Sequence, residues 1–141
     1  MPFKITDKYC PGDVGLTVSA NSLENLFIDS GLGLMNIMTD LEIVRKTKQI
    51  NINVKEDSLE DLYYAFLSEL IYIKDADNFL FSGIELKIDC PEEFHLNATI
   101  FGENIERDRH TLKTDIKAVT YYRFRIEEVE DRWESEVIFD L

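Results

Sequence analysis

Apolar residues recur every three to four positions in two stretches of the chain, which is the spacing of a helix with one buried face. The first stretch begins behind Ser22, whose hydroxyl suits an N-cap, and the second begins behind Ser58 and ends near Asp75. Gly31 falls on the first apolar stripe, where it permits close packing. The apolar positions of the two predicted helices are Leu23, Leu26, Phe27, Leu34, Met35 and Met38, then Leu59, Leu62, Tyr63, Phe66, Leu67, Leu70 and Ile71.

Alternating apolar and polar positions predict strands around these helices. Residues 10–13, Cys-Pro-Gly-Asp, are typical of a turn, and residues 41–54 fit either one strand or a strand pair. The predicted strands are residues 3–9, 14–20, 41–54, 79–89, 94–101, 117–129 and 133–141. Two main helices in the first half, packed on one face of a largely antiparallel sheet, predict an α+β fold.

The length of 141 residues predicts a single domain spanning residues 1–141. No apolar run reaches the roughly eighteen residues of a membrane span, and the N-terminal segment lacks the apolar region of a secretory signal. The two cysteines, Cys10 and Cys90, fit no Cys-x-x-Cys spacing. We interpret them as reduced thiols in a cytoplasmic protein with no membrane partner.

The net charge of −13 argues against direct, stable nucleic-acid binding, because contact with a phosphate backbone depends largely on counterion release by Lys and Arg. Any role in RNA chemistry is therefore expected to run through another protein. The same acidity favours hard divalent cations, which prefer oxygen ligands.

One basic segment stands out against this acidity, residues 107–125. It holds six of the fifteen Lys and Arg residues and two acids, so it carries +4 while the rest of the chain sums to −17. Charge clusters are usually solvated faces, but such a segment also suits an anion, a nucleotide or a complementary protein surface.

Several short motifs, taken in order, carry a family resemblance. They are Gly12-Asp13-Val14-Gly15, Ser22 to Phe27, Asp57 to Leu62, Gly102-Glu103, Arg109-His110, Lys117 to Tyr122, and Val137 to Leu141. With this order and spacing the chain resembles the archease family over essentially its whole length.

The resemblance implies a small α+β domain that elaborates a strand-helix-strand-strand unit. It also implies a non-catalytic activator of the RtcB-type RNA ligase, which joins tRNA halves after intron removal. Family members are understood to promote guanylylation of the ligase and so to allow its repeated turnover.

The resemblance further implies a divalent metal ion held by Asp13, Asp140 and the terminal carboxylate of Leu141. Taken alone, Asp13 is also an ordinary turn aspartate, and Asp140 is also an exposed acid at a frayed end. The apolar residues before Asp140 instead suggest a strand that is tied down. Three anionic groups brought together would repel one another, and Ca²⁺, Mg²⁺ or Mn²⁺ would relieve that repulsion.

The chain departs from the family pattern at two places. Cys10-Pro11-Gly12 stands where the family usually has His-Thr-Ala, and Tyr122 stands where a histidine often follows Thr-Tyr. A contribution of the first family histidine to metal binding or ligase contact is therefore absent here.

Arg109, His110 and Lys117 are the candidates for contact with a partner or a nucleotide. Arg109 and Lys117 suit a carboxylate or a phosphate, and we expect such contact in the loop formed by residues 107–113. His110 is a possible general base, but the sequence supplies no evident nucleophile. Contact with a partner and ordering of a loop through backbone hydrogen bonds are two equally open roles for it.

Two further functions stay open at this point. A metal-dependent phosphohydrolase would use Asp13 and Asp140 to hold a metal-activated water. A chaperone-like module would bind many proteins rather than one ligase.

Overall fold

A computed structural model describes residues 3–6, 12–90 and 92–141. Within these ranges the chain forms two α-helices, α1 (Leu23–Met38) and α2 (Leu59–Asp77), with a 3-10 turn at Leu41–Ile43. The strands are β1 (Phe3–Thr6), β2 (Asp13–Ala20), β3 (Lys48–Glu56), β4 (Phe79–Asp89), β5 (Phe94–Asn104), β6 (Ala118–Val119), β7 (Arg125–Val129) and β8 (Arg132–Asp140). Every pairing between these strands is antiparallel. The predicted α+β fold is confirmed.

Both helices begin at the serine caps that the sequence predicts. Ser22 Oγ accepts a hydrogen bond from the Asn25 amide at 3.1 Å, and Ser58 Oγ accepts one from the Asp61 amide at 3.1 Å. Each cap satisfies one backbone donor that the first helical turn leaves without a partner. Helix α2 ends at Asn78, whose φ of 51° is the left-handed conformation common at helix C-termini.

The strands form two sheets rather than the one sheet expected. The first sheet has the order β1-β2-β8-β6, with β7 also paired to β8, and the second has the order β3-β5-β4. Helix α1 contacts β2 and β4, while α2 contacts β3 and β6, so each helix touches strands of both sheets. The core therefore lies between the helices and both sheets.

Close packing of α1 depends on Gly31. A Cβ atom at this position would lie 2.5 Å from Ile84 Cδ1 and 3.1 Å from Leu70 Cδ1. The glycine on the apolar stripe thus brings α1 against β4 and α2, as the sequence suggested.

A chain of buried hydroxyl groups crosses this core. Tyr63 OH lies 2.6 Å from Ser30 Oγ and 2.9 Å from Ser135 Oγ, and all three residues are buried. Burial raises the pKa of Tyr63 to about 12. Each buried hydroxyl group needs a hydrogen-bond partner, because water is excluded from the core. The hydroxyl chain supplies these partners and links α1, α2 and β8.

Two predicted strands are wrong in part. Residues 41–47 contain the 3-10 turn and irregular backbone, and β3 begins only at Lys48. At Val44 and Arg45 the backbone bonds to side chains, since Val44 O accepts from Ser82 Oγ at 2.9 Å and the Arg45 amide donates to Glu103 at 2.6 Å. Backbone bonding to β5 starts at Thr47, whose amide donates to Gly102 O at 3.0 Å.

The predicted strand over residues 117–129 is interrupted at residues 120–124. The Phe124 amide donates to Tyr121 O at 3.2 Å, closing a turn, and Arg123 has a φ of 55°. A left-handed residue cannot continue a strand. Glu130 and Asp131, with φ values of 48° and 65°, then form the two-residue turn between β7 and β8.

Other predictions fall partly outside the described residues. Strand β1 ends at Thr6, so the rest of the predicted strand at residues 7–9 lies outside, as do Cys10 and Pro11 of the predicted turn. Gly12 of the same predicted turn lies within the described residues and has a φ of 92°. Cys90 is an exposed free thiol. Neither described helix is long and apolar enough to cross a membrane.

Candidate functional site

Strand pairing brings Asp13 and Asp140 directly opposite each other. They are partners in the β2–β8 ladder, and the Leu141 amide donates to Gly12 O at 2.9 Å. That hydrogen bond flanks the aspartates, which makes them a non-hydrogen-bonded pair with Cα atoms about 4.5 Å apart, the closer of the two antiparallel arrangements. Both carboxylates point to the same face of the sheet, because opposed residues share a face.

The end of β8 is held on both of its sides. Strand β2 pairs along one side, and on the other Ala118 of β6 lies opposite Asp140 while the Lys117 amide donates to Asp140 O at 2.8 Å. The residues leading to it are fully buried, namely Val137, Ile138 and Phe139. The Asp140 side chain is exposed, but its backbone is anchored, so it does not belong to a frayed end.

The oxygen groups at this edge are chemically suited to a hard cation. Like charges directly opposite each other across strands are destabilising, and a divalent ion with carboxylate ligands relieves that repulsion. Within the described ranges, no group of three or more His, Cys, Asp or Glu side chains could hold a metal ion. Metal binding by Asp13, Asp140 and the carboxylate of Leu141 stays a prediction.

A pocket of about 510 Å³ opens beside this acidic edge. Asp13 and Leu141 line it together with Asn36 and Lys113, two residues that sequence reasoning did not assign to the metal site. Two hydrogen bonds to the end of α1 and the residue after it bring Lys113 there. The Lys113 amide donates to Met38 O at 2.8 Å, and the Thr39 side chain donates from Oγ1 to Thr111 O at 2.7 Å. The basic character of residues 107–125 was the signal in the sequence for a role of Lys113. The sequence does not show its position beside Asp13, because these contacts join residues about seventy positions apart.

Arg109 and His110 lie in a different environment, around the carboxylate of Glu103. Arg109 forms an ion pair with Glu103 Oε1, donates to Ile43 O at 2.9 Å and reaches Glu106 Oε2 at 3.2 Å. His110 Nε2 lies 3.0 Å from Glu103 Oε2. Glu103 and His110 are buried, so these side chains are used inside the fold.

The hydrogen bonds of His110 define its tautomer. The Glu106 amide donates to His110 Nδ1 at 2.8 Å, so Nδ1 accepts and Nε2 carries the proton toward Glu103. This arrangement orders the loop through backbone contacts, one of the two roles considered for His110 from the sequence. Its side chain is fully buried.

The three donors around Glu103 shift its acidity. The hydrogen bond from Arg109, with further ones from the Arg45 amide and His110, lowers the pKa of Glu103 to about 2. A carboxylate that accepts several hydrogen bonds is favoured in its charged form. The sequence shows Glu103 only as part of the Gly102-Glu103 motif and does not predict its role as the centre of this cluster.

Of the predicted contact residues, only Lys117 adjoins the acidic edge. Its side chain is exposed and its amide bonds to Asp140, while Arg109 and His110 belong to the Glu103 cluster. No ion pair of the Lys117 ammonium occurs within the described part of the chain.

A model of the Archease protein family matches residues 3–141 of the chain. The archease of Thermococcus gammatolerans is 33% identical over 131 residues, which cover 92% of this chain and 92% of that protein. The archease of Pyrococcus furiosus is 30% identical over 131 residues with the same coverage.

Two solved structures are similar to the fold. The solution structure of Methanobacterium thermoautotrophicum protein 1598 has a TM-score of 0.87 at 29% identity, with 99% of each chain covered. The crystal structure of an archease, possible chaperone, from Thermotoga maritima has a TM-score of 0.63 at 17% identity, with 96% of each chain covered. The second similarity shows the fold alone.

Proposed function

Because the chain belongs to the archease family, we propose that it is a non-catalytic activator of an RtcB-type tRNA-splicing RNA ligase. In this role it docks on the ligase, promotes guanylylation of the ligase and permits repeated turnover. The net charge of −13 supports action through a protein partner rather than through RNA.

The observation that carries the proposal is the pairing of Asp13 with Asp140 beside Leu141. These residues would hold Ca²⁺, Mg²⁺ or Mn²⁺ through carboxylate oxygens. When bound, the ion neutralises the carboxylates and offers further coordination positions to phosphate or carboxylate oxygens.

The remaining residues of the edge orient and balance this site. The backbone of Lys117 fixes the end of β8, and its exposed ammonium is available to an acidic group of the partner. Lys113 lines the pocket beside Asp13, and its ammonium lies 3.4 Å from Asp40 Oδ1.

The test is multiple-turnover RNA ligation by a purified ligase, with and without this protein. We expect each ligase molecule to complete more than one ligation only when the protein is present. Asp13→Asn and Asp140→Asn should abolish this effect, because they keep the shape of the side chain and remove its charge. Asp89→Asn, at an exposed acid on β4, is the matched control and should activate normally.

Unchanged turnover at saturating protein would overturn the proposal, and full activation by both aspartate variants would overturn its metal part. If the protein alone, without ligase, released phosphate from GTP in the presence of Mn²⁺, that result would favour the phosphohydrolase. Suppressed aggregation of unrelated proteins would favour a chaperone-like module; the Thermotoga maritima protein is described as a possible chaperone.

A further inference from the structure

Strand β3 forms one edge of the second sheet. Among the described helices and strands it lies beside only β5, which pairs along one of its sides, and α2. Within the described ranges its backbone forms no hydrogen bond outside the β5 ladder. In an antiparallel pair, alternate residues turn their N–H and C=O groups away from the neighbouring strand. Strand β3 therefore offers a row of backbone donors and acceptors to another strand.

The other sheet edges are shorter or interrupted. The edge strands of the first sheet are short, with four residues in β1 and five in β7. The register of β4, the second edge of the same sheet as β3, shifts between Phe81 and Gly83, and the Ser82 hydroxyl there donates to Val44 O at 2.9 Å. Short strands and bulges protect an edge from pairing. Strand β3 has nine residues and an unbroken register with β5, so it lacks both forms of protection.

The side chains of β3 are complementary to those of a second, reversed copy. Its sequence reads KQININVKE, and antiparallel pairing of two copies about Ile52 places Lys48 opposite Glu56 and Ile50 opposite Val54. Opposite charges and β-branched residues are favourable cross-strand pairs. These residues alternate along the strand, so they share one face of the paired sheet. The other pairs are polar, namely Gln49 with Lys55 and Asn51 with Asn53.

Neighbouring registers lose this match. Moving the twofold axis by one residue in either direction places a charged side chain opposite an apolar one, Lys48 opposite Val54 or Ile50 opposite Glu56. A slip of one residue in one copy alone turns its side chains to the wrong face. The pattern of β3 thus favours a second copy of the same strand and one register.

The charged ends of β3 are available for such pairing. Lys48 is exposed, and its ammonium donates to the neutral side-chain amide of Asn104 at 2.5 Å. Within the described part of the chain neither Lys48 nor Glu56 forms an ion pair. Ile50 and Val54 are only partly buried, so pairing would also remove apolar surface from water.

We propose that β3 is a homodimerisation edge, at which two copies of the chain pair antiparallel about Ile52 and join their second sheets into one sheet of six strands. The inference goes beyond the proposed function, because the acidic edge belongs to the first sheet. A strand of nine residues is about 30 Å long, and its edge covers less than the roughly 800 Å² of an ordinary interface. We therefore expect a weak dimer whose population rises with protein concentration.

The experiment is sedimentation velocity of the whole protein over a range of concentrations, with charge-exchange variants. Lys48→Glu and Glu56→Lys should each weaken dimerisation at least about ten-fold, because each places like charges opposite each other at both ends of the strand pair. The double variant, with both changes, restores opposite charges in the same register. It should dimerise as the unaltered protein does.

The matched controls lie on β4, the other edge of the same sheet. Lys87→Glu and Glu85→Lys make the same changes of charge at exposed positions and should leave dimerisation unaltered. Melting temperatures show whether each variant is folded. If a single variant does not fold, the remaining single variant and the double variant keep the charge test decisive.

Hydrogen exchange of the unaltered protein tests the backbone pairing without any substitution. Amides in β3 should exchange more slowly at high than at low protein concentration, because the outward N–H groups bond to the second copy. Amides in β4 should exchange at the same rate at both concentrations.

Three results would overturn the proposal. The first is a monomer at concentrations up to about 1 mM. The second is a dimer that Lys48→Glu and Glu56→Lys leave intact, or one that slows exchange in β4 rather than β3. The third is weakened dimerisation of both single variants without recovery in the double variant, which would contradict the register. None of these measurements includes the ligase, so the proposed function stands or falls separately.

Discussion

Residues 107–113 and 117–125 belong to one basic segment but differ in how the fold uses them. In the first part, Arg109 and His110 surround buried Glu103 and hold a loop against Ile43. In the second part, Lys117 and two tyrosines face solvent beside the acidic edge. A cluster of charge in a sequence therefore does not indicate a binding surface until the positions of the opposing charges are known.

The difference has a simple electrostatic cause. Glu103 lies at the end of β5 and is nearly excluded from water, so it requires partners, and Arg109 and His110 are close enough to supply them. Removing one partner of a buried charge leaves the other uncompensated. The acids near the second part, Glu127 and Glu134, are 52% and 39% exposed, so water solvates them and they need no such partner.

The largest expected effect is on the first part. Glu103→Ala should lower the free energy of unfolding by about 3 kcal/mol, because it leaves the Arg45 amide and His110 Nε2 without their acceptor. The melting temperature should fall by roughly 10 °C. Glu106→Ala, which removes an exposed partner of the same arginine, is the control and should change stability by less than about 0.5 kcal/mol. Equal effects of the two variants would show that Glu103 is not the centre of the cluster.

The next effect is a pH dependence that only the first part should show. The pKa of Glu103 is lowered from 4.5 to about 2 in the folded protein, mainly by Arg109. Its stabilising contribution is present above the unfolded pKa of 4.5 and is lost as the pH falls toward about 2. Denaturant unfolding between pH 5 and pH 2 should therefore show a smaller loss of stability in Glu103→Gln than in the unaltered protein. Identical slopes in both proteins would contradict the assignment.

A third effect should separate stability from activity in the second part. Lys117→Ala should change the free energy of unfolding by less than about 0.5 kcal/mol, since the side chain is exposed and the amide that bonds to Asp140 remains. It should reduce activation of the ligase by about ten-fold, equivalent to about 1.4 kcal/mol. Lys87→Ala, at an exposed lysine on β4, is the control and should activate normally. A destabilised Lys117→Ala variant would mean that the second part also supports the fold.

The smallest effect concerns Arg125. It lies 2.7 Å from Glu127 and 3.8 Å from Glu134, but these are exposed pairs. Arg125→Ala should lower stability by about 0.5 kcal/mol or less, and the difference should shrink in high salt. Chemical unfolding at low and high salt provides the measurement. A loss above about 1 kcal/mol would place Arg125 with the residues of the first part.

Local patterns in the sequence were sufficient for the helices, their serine caps, the α+β class and the family. These features depend on residues a few positions apart, through helical periodicity, capping hydrogen bonds and short ordered motifs. The sequence also identified candidate metal ligands, Asp13, Asp140 and Leu141, but only through the family resemblance.

The tertiary structure decided how those residues are arranged. The β2–β8 register sets Asp13 opposite Asp140, long-range backbone bonds bring Lys113 beside them, and Glu103 draws Arg109 and His110 away from solvent. A turn with a left-handed residue breaks the predicted strand and presents the tyrosines. Strand register and the partners of buried charges depend on contacts between distant parts of the chain, so no local pattern in the sequence contains them.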